Sequence, residues 1–144
     1  DLIKQALSDC GKRPVYFKQH PDCIGLNMRP GYVDLASFPD VTEIPNCVSL
    51  ADAVDNVKEI YTISSLGGFE ALLRGKKVTT FGSPFYAGWG LTNDHVDLDN
   101  RENILKLEEL FYIAFIKYPK YFNPHNGDQL SIDQVIEIFS KRKL

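Results

Sequence analysis

The sequence predicts a three-layer α/β domain built on a parallel sheet, and three observations carry that prediction. From Glu59 to Phe81 the chain reads strand, polar turn, helix, strand. Ile60, Tyr61 and Thr62 suit a strand, Leu66, Phe69, Leu72 and Leu73 fall at helical offsets, and Val78 to Phe81 is a second short β-branched run. A βαβ unit of this kind closes as a parallel pair with a right-handed crossover. Secondly, Pro14 to Phe17 is a short strand. Pro21 stops it and leaves Lys18 and His20 at its carboxyl end. Thirdly, Gly82 to Thr92 sets Gly82, Gly88 and Gly90 among Phe85, Tyr86 and Trp89. This loop has little helix or strand propensity. It follows a parallel strand, where the ligands of open α/β sheets bind.

The remaining elements follow in order. Asp1 to Asp9 is a short amphipathic helix with Leu2, Ile3, Ala6 and Leu7 on one side, stopped by Gly11. Cys23 to Pro39, with Gly25, Pro30 and Gly31, is an irregular surface loop of unusual length. Val41 to Val48 holds a short extended piece. Ser49-Leu50-Ala51-Asp52 starts a helix that runs through Val57, with Asp52 in its first turn. Gly75 is the C-cap glycine of the central helix. Asn93 to Asn100, with Asp94, Asp97 and Asp99, lacks the glycine and the closing glutamate of a calcium loop and reads as a solvated linker. Asn103 to Ile116 is a helix, broken by the two prolines of Tyr118 to Pro124. Asp128 to Lys143 is a last helix that buries Ile132, Val135, Ile136 and Phe139.

Length and composition narrow the function. The 144 residues make one domain over 1–144, with 44% hydrophobic residues and a net charge of −3. Such a chain offers no electrostatic case for nucleic acid as a partner. No apolar run approaches the ~20 residues of a membrane span. Cys10, Cys23 and Cys47 are odd in number and unpaired in spacing, as free thiols in a reducing compartment are. His20, His95 and His125 have no metal-ligand spacing, so no metal is expected.

Chemistry concentrates at the turn between the two central strands. A helix N-terminus leaves backbone N–H groups unpaired and carries partial positive charge. Ser64, Ser65, Gly67 and Gly68 at that point make a cradle for an anion, a phosphate above all. The competing reading is that Ser64 or Ser65 simply caps the helix and the glycines allow close packing on the sheet. His20, with Pro21 behind it, and Lys18 are placed to reach the same anion, and an ordinary loop role for His20 stands beside that. Glu70 lies one turn into the helix, where a ligand contact and a purely structural role are both open. Asp52 reads more as a helix-start residue than as a ligand group. In the loop, Tyr86, Gly88, Trp89 and Gly90 are expected to shape a cleft wall, against the alternative that Trp89 is a core residue.

The run Ser65-Leu66-Gly67-Gly68-Phe69-Glu70-Ala71-Leu72-Leu73-Arg74-Gly75-Lys76, then Pro84-Phe85-Tyr86-Ala87-Gly88-Trp89-Gly90-Leu91-Thr92, resembles the capsule polysaccharide synthesis proteins of Gram-negative bacteria. The stretch Tyr118 to Pro124 resembles them too, and the likeness runs from about Val15 to the end. These are retaining β-Kdo transferases that build an oligo-Kdo linker on a phospholipid. The resemblance implies a Rossmann-like domain, the donor-binding half of a two-domain GT-B glycosyltransferase, with CMP-Kdo as donor substrate and no cofactor or metal. His20-Pro21 and Ser64-Ser65 match the His-Pro and paired Ser/Thr motifs with which related CMP-sugar enzymes hold the CMP phosphate. It further implies an N-terminal acceptor domain outside this chain, which would carry the catalytic carboxylate, so no catalytic residue is expected here. The implied partners are CMP-Kdo, a lipid-linked Kdo acceptor, that N-terminal domain and the capsule assembly machinery. The implied location is the cytoplasm, with peripheral attachment to the inner membrane. Two readings from other classes stand beside it: a non-catalytic nucleotide-sugar or phosphate-binding module, and a protein-interaction domain using Phe85, Tyr86 and Trp89.

Overall fold

Parallel pairing dominates the first 104 residues of the computed structural model, which describes residues 2–24 and 30–141. Strand β1 (Val15–Phe17) pairs in parallel with β2 (Val41–Glu43). Strand β3 (Glu59–Thr62) pairs in parallel with β4 (Lys77–Thr80), Tyr61 opposite Thr79, and β4 pairs in parallel with β5 (Asn93–Asp94). The helices are α1 (Leu2–Cys10), α2 (Leu50–Asp55) and α3 (Leu66–Leu73). The α/β character and the parallel β3–α3–β4 unit are those that the sequence predicts. Asp1, Gly25, Arg142 and Lys143, which that reading placed in helices or the long loop, lie outside the described residues.

The chain divides into two compact units, Asp1–Ile104 and Leu105–Leu144, where sequence analysis expects one domain over 1–144. In the first unit the core lies under α3. Phe69, Ala71 and Leu72 of α3 are buried, as are Val78, Thr79 and Thr80 of β4 and Val54 of α2. Helix α3 ends as its glycine demands. Gly75 has φ +69°, its N–H donates to Leu72 O, and the Lys76 N–H donates to Ala71 O. These are the two bonds of a Schellman cap.

The second unit departs from expectation in four ways. Its first helix, α4 (Leu107–Phe111), starts four residues later than Asn103, where the Lys106 N–H donates to Glu109 Oε2 at 2.7 Å. It then widens into a π-helical stretch, Tyr112–Lys117, closed by a bond from the Tyr118 N–H to Ile113 O. Strands β6 (Tyr121–Phe122) and β7 (Gln129–Leu130) form an antiparallel hairpin, which Pro124 and Gly127 in the intervening turn allow. The last helix, α5 (Ile132–Lys141), therefore begins after this hairpin. Its apolar side is amphipathic as expected but not covered. Ile136 is 56% and Phe139 68% exposed and Ile132 and Val135 are only half-buried, so the expected burial of all four is a misreading.

Candidate functional site: the serine turn and the loop beneath it

Strands β1 and β3 belong to separate sheets, β1-β2 and β3-β4-β5, and helix α1 with side chains near their first residues links them. Arg13, two residues before β1, approaches Glu59, the first residue of β3, at 3.9 Å. The Tyr61 hydroxyl of β3 donates to Asp9 of α1 at 3.0 Å, and α1 packs on both strands. His20 follows the carboxyl end of β1, and Ser64 and Ser65 follow the carboxyl end of β3.

His20 is the N-cap of a 3-10 turn, Pro21–Cys23, and its Nδ1 accepts from the Asp22 N–H at 3.1 Å. Pro21, at the first position of that turn, has no N–H to leave unpaired. A neutral imidazole that accepts at Nδ1 carries its proton on Nε2. The capping bond therefore leaves an exposed ring with an Nε2–H donor. Lys18 is less free than the sequence implies, because its Nζ donates to Pro45 O at 3.4 Å, on the segment after β2.

At the other strand end, Ser65 is the N-cap of α3, and its Oγ accepts from the Gly67 N–H at 3.1 Å. Capping thus uses the Gly67 amide, one of the donors expected to face an anion. The Ser65 hydroxyl keeps its own hydrogen for donation, and the Ser64 side chain is exposed. The Ser65 N–H donates to Oγ1 of Thr62, which is itself buried. The turn presents two hydroxyls and the positive end of an eight-residue helix. Glu70 is half-buried in the second turn of α3. Asp52 is exposed in the first turn of α2, where its Oδ2 accepts from the Ser49 hydroxyl at 2.7 Å and its N–H donates to Ser49 Oγ at 3.0 Å. Helix α2 starts beside α3, since a Cβ on Gly67 would meet Leu50 Cδ2 at 2.8 Å.

The loop after β4 corrects one assignment within the expected cleft wall. Tyr86 is wholly buried, at 0% exposure, and cannot line a wall. Its hydroxyl instead donates to the Ser65 carbonyl from beneath the turn. Gly68 is shaped by this contact, because a Cβ there would lie 2.3 Å from the Tyr86 hydroxyl oxygen. Burial, with the negative charge of Asp94 adding to it, pushes the Tyr86 pKa up to about 12, so the phenol remains a donor. Trp89 is half-buried. Its Nε1–H donates to Phe85 O at 2.7 Å, and the Arg101 guanidinium sits 5.4 Å above its ring. Gly88 and Gly90, both at φ +77°, take the left-handed backbone on either side of it.

Asp94 and Arg101 hold this loop in place, and both fall in or next to the stretch that the sequence reads as a solvated linker. Asp94 is the second residue of β5 rather than a linker residue. Its Oδ1 accepts from the Thr80 and Thr92 hydroxyls, each at 2.7 Å, and its Oδ2 from the Gly88 N–H at 2.8 Å. Arg101 donates to Pro84 O and Ala87 O, each at 2.6 Å. Thr62, Asp94 and Arg101 are thus site-supporting residues that sequence reasoning missed, while Gly68, read there as part of the anion cradle or as a close-packing position, packs closely against Tyr86. A polar run of aspartates gives no local sign that one of them caps a distant loop. An open depression of about 440 Å³ borders the loop and is lined by Gly88, Asp94, His95, Val96, Asp97 and Leu98. Neither His20 nor the serines belong to it.

Residues 2–123 match the family model described as capsule polysaccharide biosynthesis protein. The chain is 37% identical over 140 residues to the lipopolysaccharide-processing protein LpsZ of Rhizobium meliloti, covering 94% of this chain and 31% of that protein. It is 39% identical over 150 residues to the capsule polysaccharide modification protein LipA of Neisseria meningitidis serogroup B, covering 99% of this chain and 20% of LipA. The chain therefore spans only a fifth to a third of these relatives. Among solved structures it resembles Thermosulfurimonas dismutans KpsC, beta Kdo 2,4 transferase, with a TM-score of 0.80 at 35% identity, over 95% of this chain and 43% of that one. It also resembles the beta Kdo 2,7 transferase of the same KpsC, with a TM-score of 0.78 at 34% identity, over 99% and 46%. The fold is thus the Rossmann-like α/β fold of a glycosyltransferase half, and the chain belongs to the capsule polysaccharide biosynthesis protein family.

Proposed function

We propose that this chain is the donor-binding half of a retaining glycosyltransferase that moves Kdo from CMP-Kdo to a lipid-linked oligo-Kdo acceptor in capsule polysaccharide biosynthesis. The observation that carries the reading is the Ser64–Ser65 turn. It stands at the carboxyl end of a parallel strand with two hydroxyls and a helix N-terminus, while His20 follows the carboxyl end of β1, a parallel strand of another sheet, with its Nε2–H unused by the capping bond. Glycosyl transfer from CMP-Kdo breaks the bond between the anomeric carbon and the phosphate, and negative charge gathers on the departing CMP. Donors fixed before the reaction lower that barrier without reorganising. The Ser64 and Ser65 hydroxyls, His20 Nε2–H and the positive end of α3 are assigned that role, in place of a metal ion. Lys18 and Gly67 are assigned supporting roles, with one bond of the Lys18 ammonium already made to Pro45 O and the single Gly67 N–H already given to Ser65 Oγ. Glu70 and Asp52 are assigned to the donor ribose, and Trp89, with Gly88 and Gly90, to the wall beside the sugar.

The carboxylate of the retaining mechanism is assigned to the acceptor domain outside this chain, and the reaction to the cytoplasmic face of the inner membrane. Two solved Kdo transferases at 34–35% identity support the substrate class. The test is transfer by the full-length protein, with CMP-Kdo and a Kdo-bearing lipid acceptor. Extension of the acceptor by Kdo with release of CMP is expected, and Ser65→Ala and His20→Asn should each reduce it at least tenfold. Binding of CMP-Kdo without transfer would replace the reading by that of a non-catalytic nucleotide-sugar module.

A further inference from the structure

We infer that Tyr86 is a positioning residue for the phosphate site, its hydroxyl setting the direction in which the Ser64–Ser65 turn presents its donors. The inference rests on the reading of that turn as the site of the CMP phosphate. Tyr86 belongs to the glycine-aromatic loop and not to the βαβ unit that makes the turn. It is fully buried, and Phe69 and Phe85 pack around its ring at centroid distances of 6.1 and 5.3 Å, so the hydroxyl has one place to go. That place is the Ser65 carbonyl.

The Ser65 carbonyl already accepts from the Gly68 N–H at 3.0 Å. The Tyr86 bond is therefore not needed to spare a buried oxygen from lying unpaired. What it adds is direction. The Ser65 N–H is held by Thr62 Oγ1, and the Ser65 carbonyl by Tyr86, so both peptide groups flanking the Ser65 side chain are pinned. The sequence preserves the space for this bond, because any Cβ on Gly68 would collide with the phenol. The loop end of the strut is fixed in turn by Asp94 and Arg101. A change in the loop is thereby transmitted to the turn that meets the phosphate.

The test compares CMP with cytidine as probes of the full-length protein. Tyr86→Phe should weaken CMP binding roughly fivefold, the factor that one neutral hydrogen bond is worth. Cytidine affinity should not change, because cytidine has no phosphate for the turn to meet. Gly68→Ala displaces the same hydroxyl from the helix side and should give the same selective loss. The double variant should lose no more than the larger single loss, because both act through one bond. Equal weakening of CMP and cytidine, or unchanged CMP binding, overturns the inference. If Tyr86→Phe does not fold, Gly68→Ala carries the test with the same two outcomes. Ser65→Ala separates the two claims. If it leaves CMP binding unchanged, the phosphate reading itself fails. If it weakens CMP while the Tyr86 and Gly68 variants do not, the phosphate site stands and the positioning role falls.

Discussion

His20 combines a structural bond at Nδ1 with an unused donor at Nε2, and substitution can separate the two. Asparagine is a good N-cap, so His20→Asn should keep the 3-10 turn and leave the melting temperature within a degree or two. It should lose the ring donor and raise KM for CMP-Kdo by about tenfold or more, the worth of one hydrogen bond to a charged group. A silent His20→Asn beside a destabilised His20→Ala would mean that His20 is a cap and nothing else. Tyr86 makes a prediction in pH. Its folded-state pKa is raised to about 12, chiefly by burial, above the ordinary tyrosine value. Its contribution to stability is therefore fully present below about pH 10 and is lost as pH rises towards 12. Chemical denaturation should show the wild type losing about 1–3 kcal/mol more across that window than Tyr86→Phe does. Equal losses would mean that the phenol ionises freely in the folded protein. None of this was visible at Tyr86 in the sequence, because an aromatic in a glycine-rich loop looks the same whether it lines a cleft or props a turn.

Among the elements, the βαβ unit was legible because its signals are local: the period of Leu66, Phe69, Leu72 and Leu73, and Gly75 at the helix end. The loop from Gly82 to Thr92 was legible as a special segment but not in its wiring, which runs through residues 14 to 21 positions away: Thr80 to Asp94, Pro84 to Arg101 and Tyr86 to Ser65. Asp94 is the residue on which this wiring depends most. Asp94→Ala would leave the Thr80 and Thr92 hydroxyls and the Gly88 N–H without their acceptor. It should cost about 2–4 kcal/mol, at roughly 1 kcal/mol or more for each lost bond, read as a drop in melting temperature of several degrees. Asp94→Asn keeps one acceptor oxygen and should recover part of that loss. A variant as stable as wild type would show that the loop does not depend on Asp94. Helix α5 failed in the other direction. Its amphipathic period was read correctly, but periodicity states which side is apolar and not whether anything covers it.

At the scale of the whole molecule, the chain matches 43–46% of two solved Kdo transferase chains, and the reading gives it the donor and no catalytic carboxylate. The 144-residue chain alone should therefore bind CMP no more tightly than about millimolar. A few hydrogen bonds to one phosphate must offset the freedom lost on association. It should transfer no Kdo. Robust transfer by the chain alone would place the catalytic carboxylate inside it. The family was legible from Ser65 to Lys76 and Pro84 to Thr92, since that spacing is specific. The division into two units was not, because no proline- or glycine-rich linker marks Ile104. The central claim is that the Ser64–Ser65 turn and His20 hold the phosphate of CMP. A crystal structure of the full-length protein with CMP tests it most directly. The account predicts phosphate oxygens within about 3 Å of the Ser64 or Ser65 hydroxyl and of His20 Nε2. CMP bound with its phosphate elsewhere, and the turn facing solvent, would contradict it.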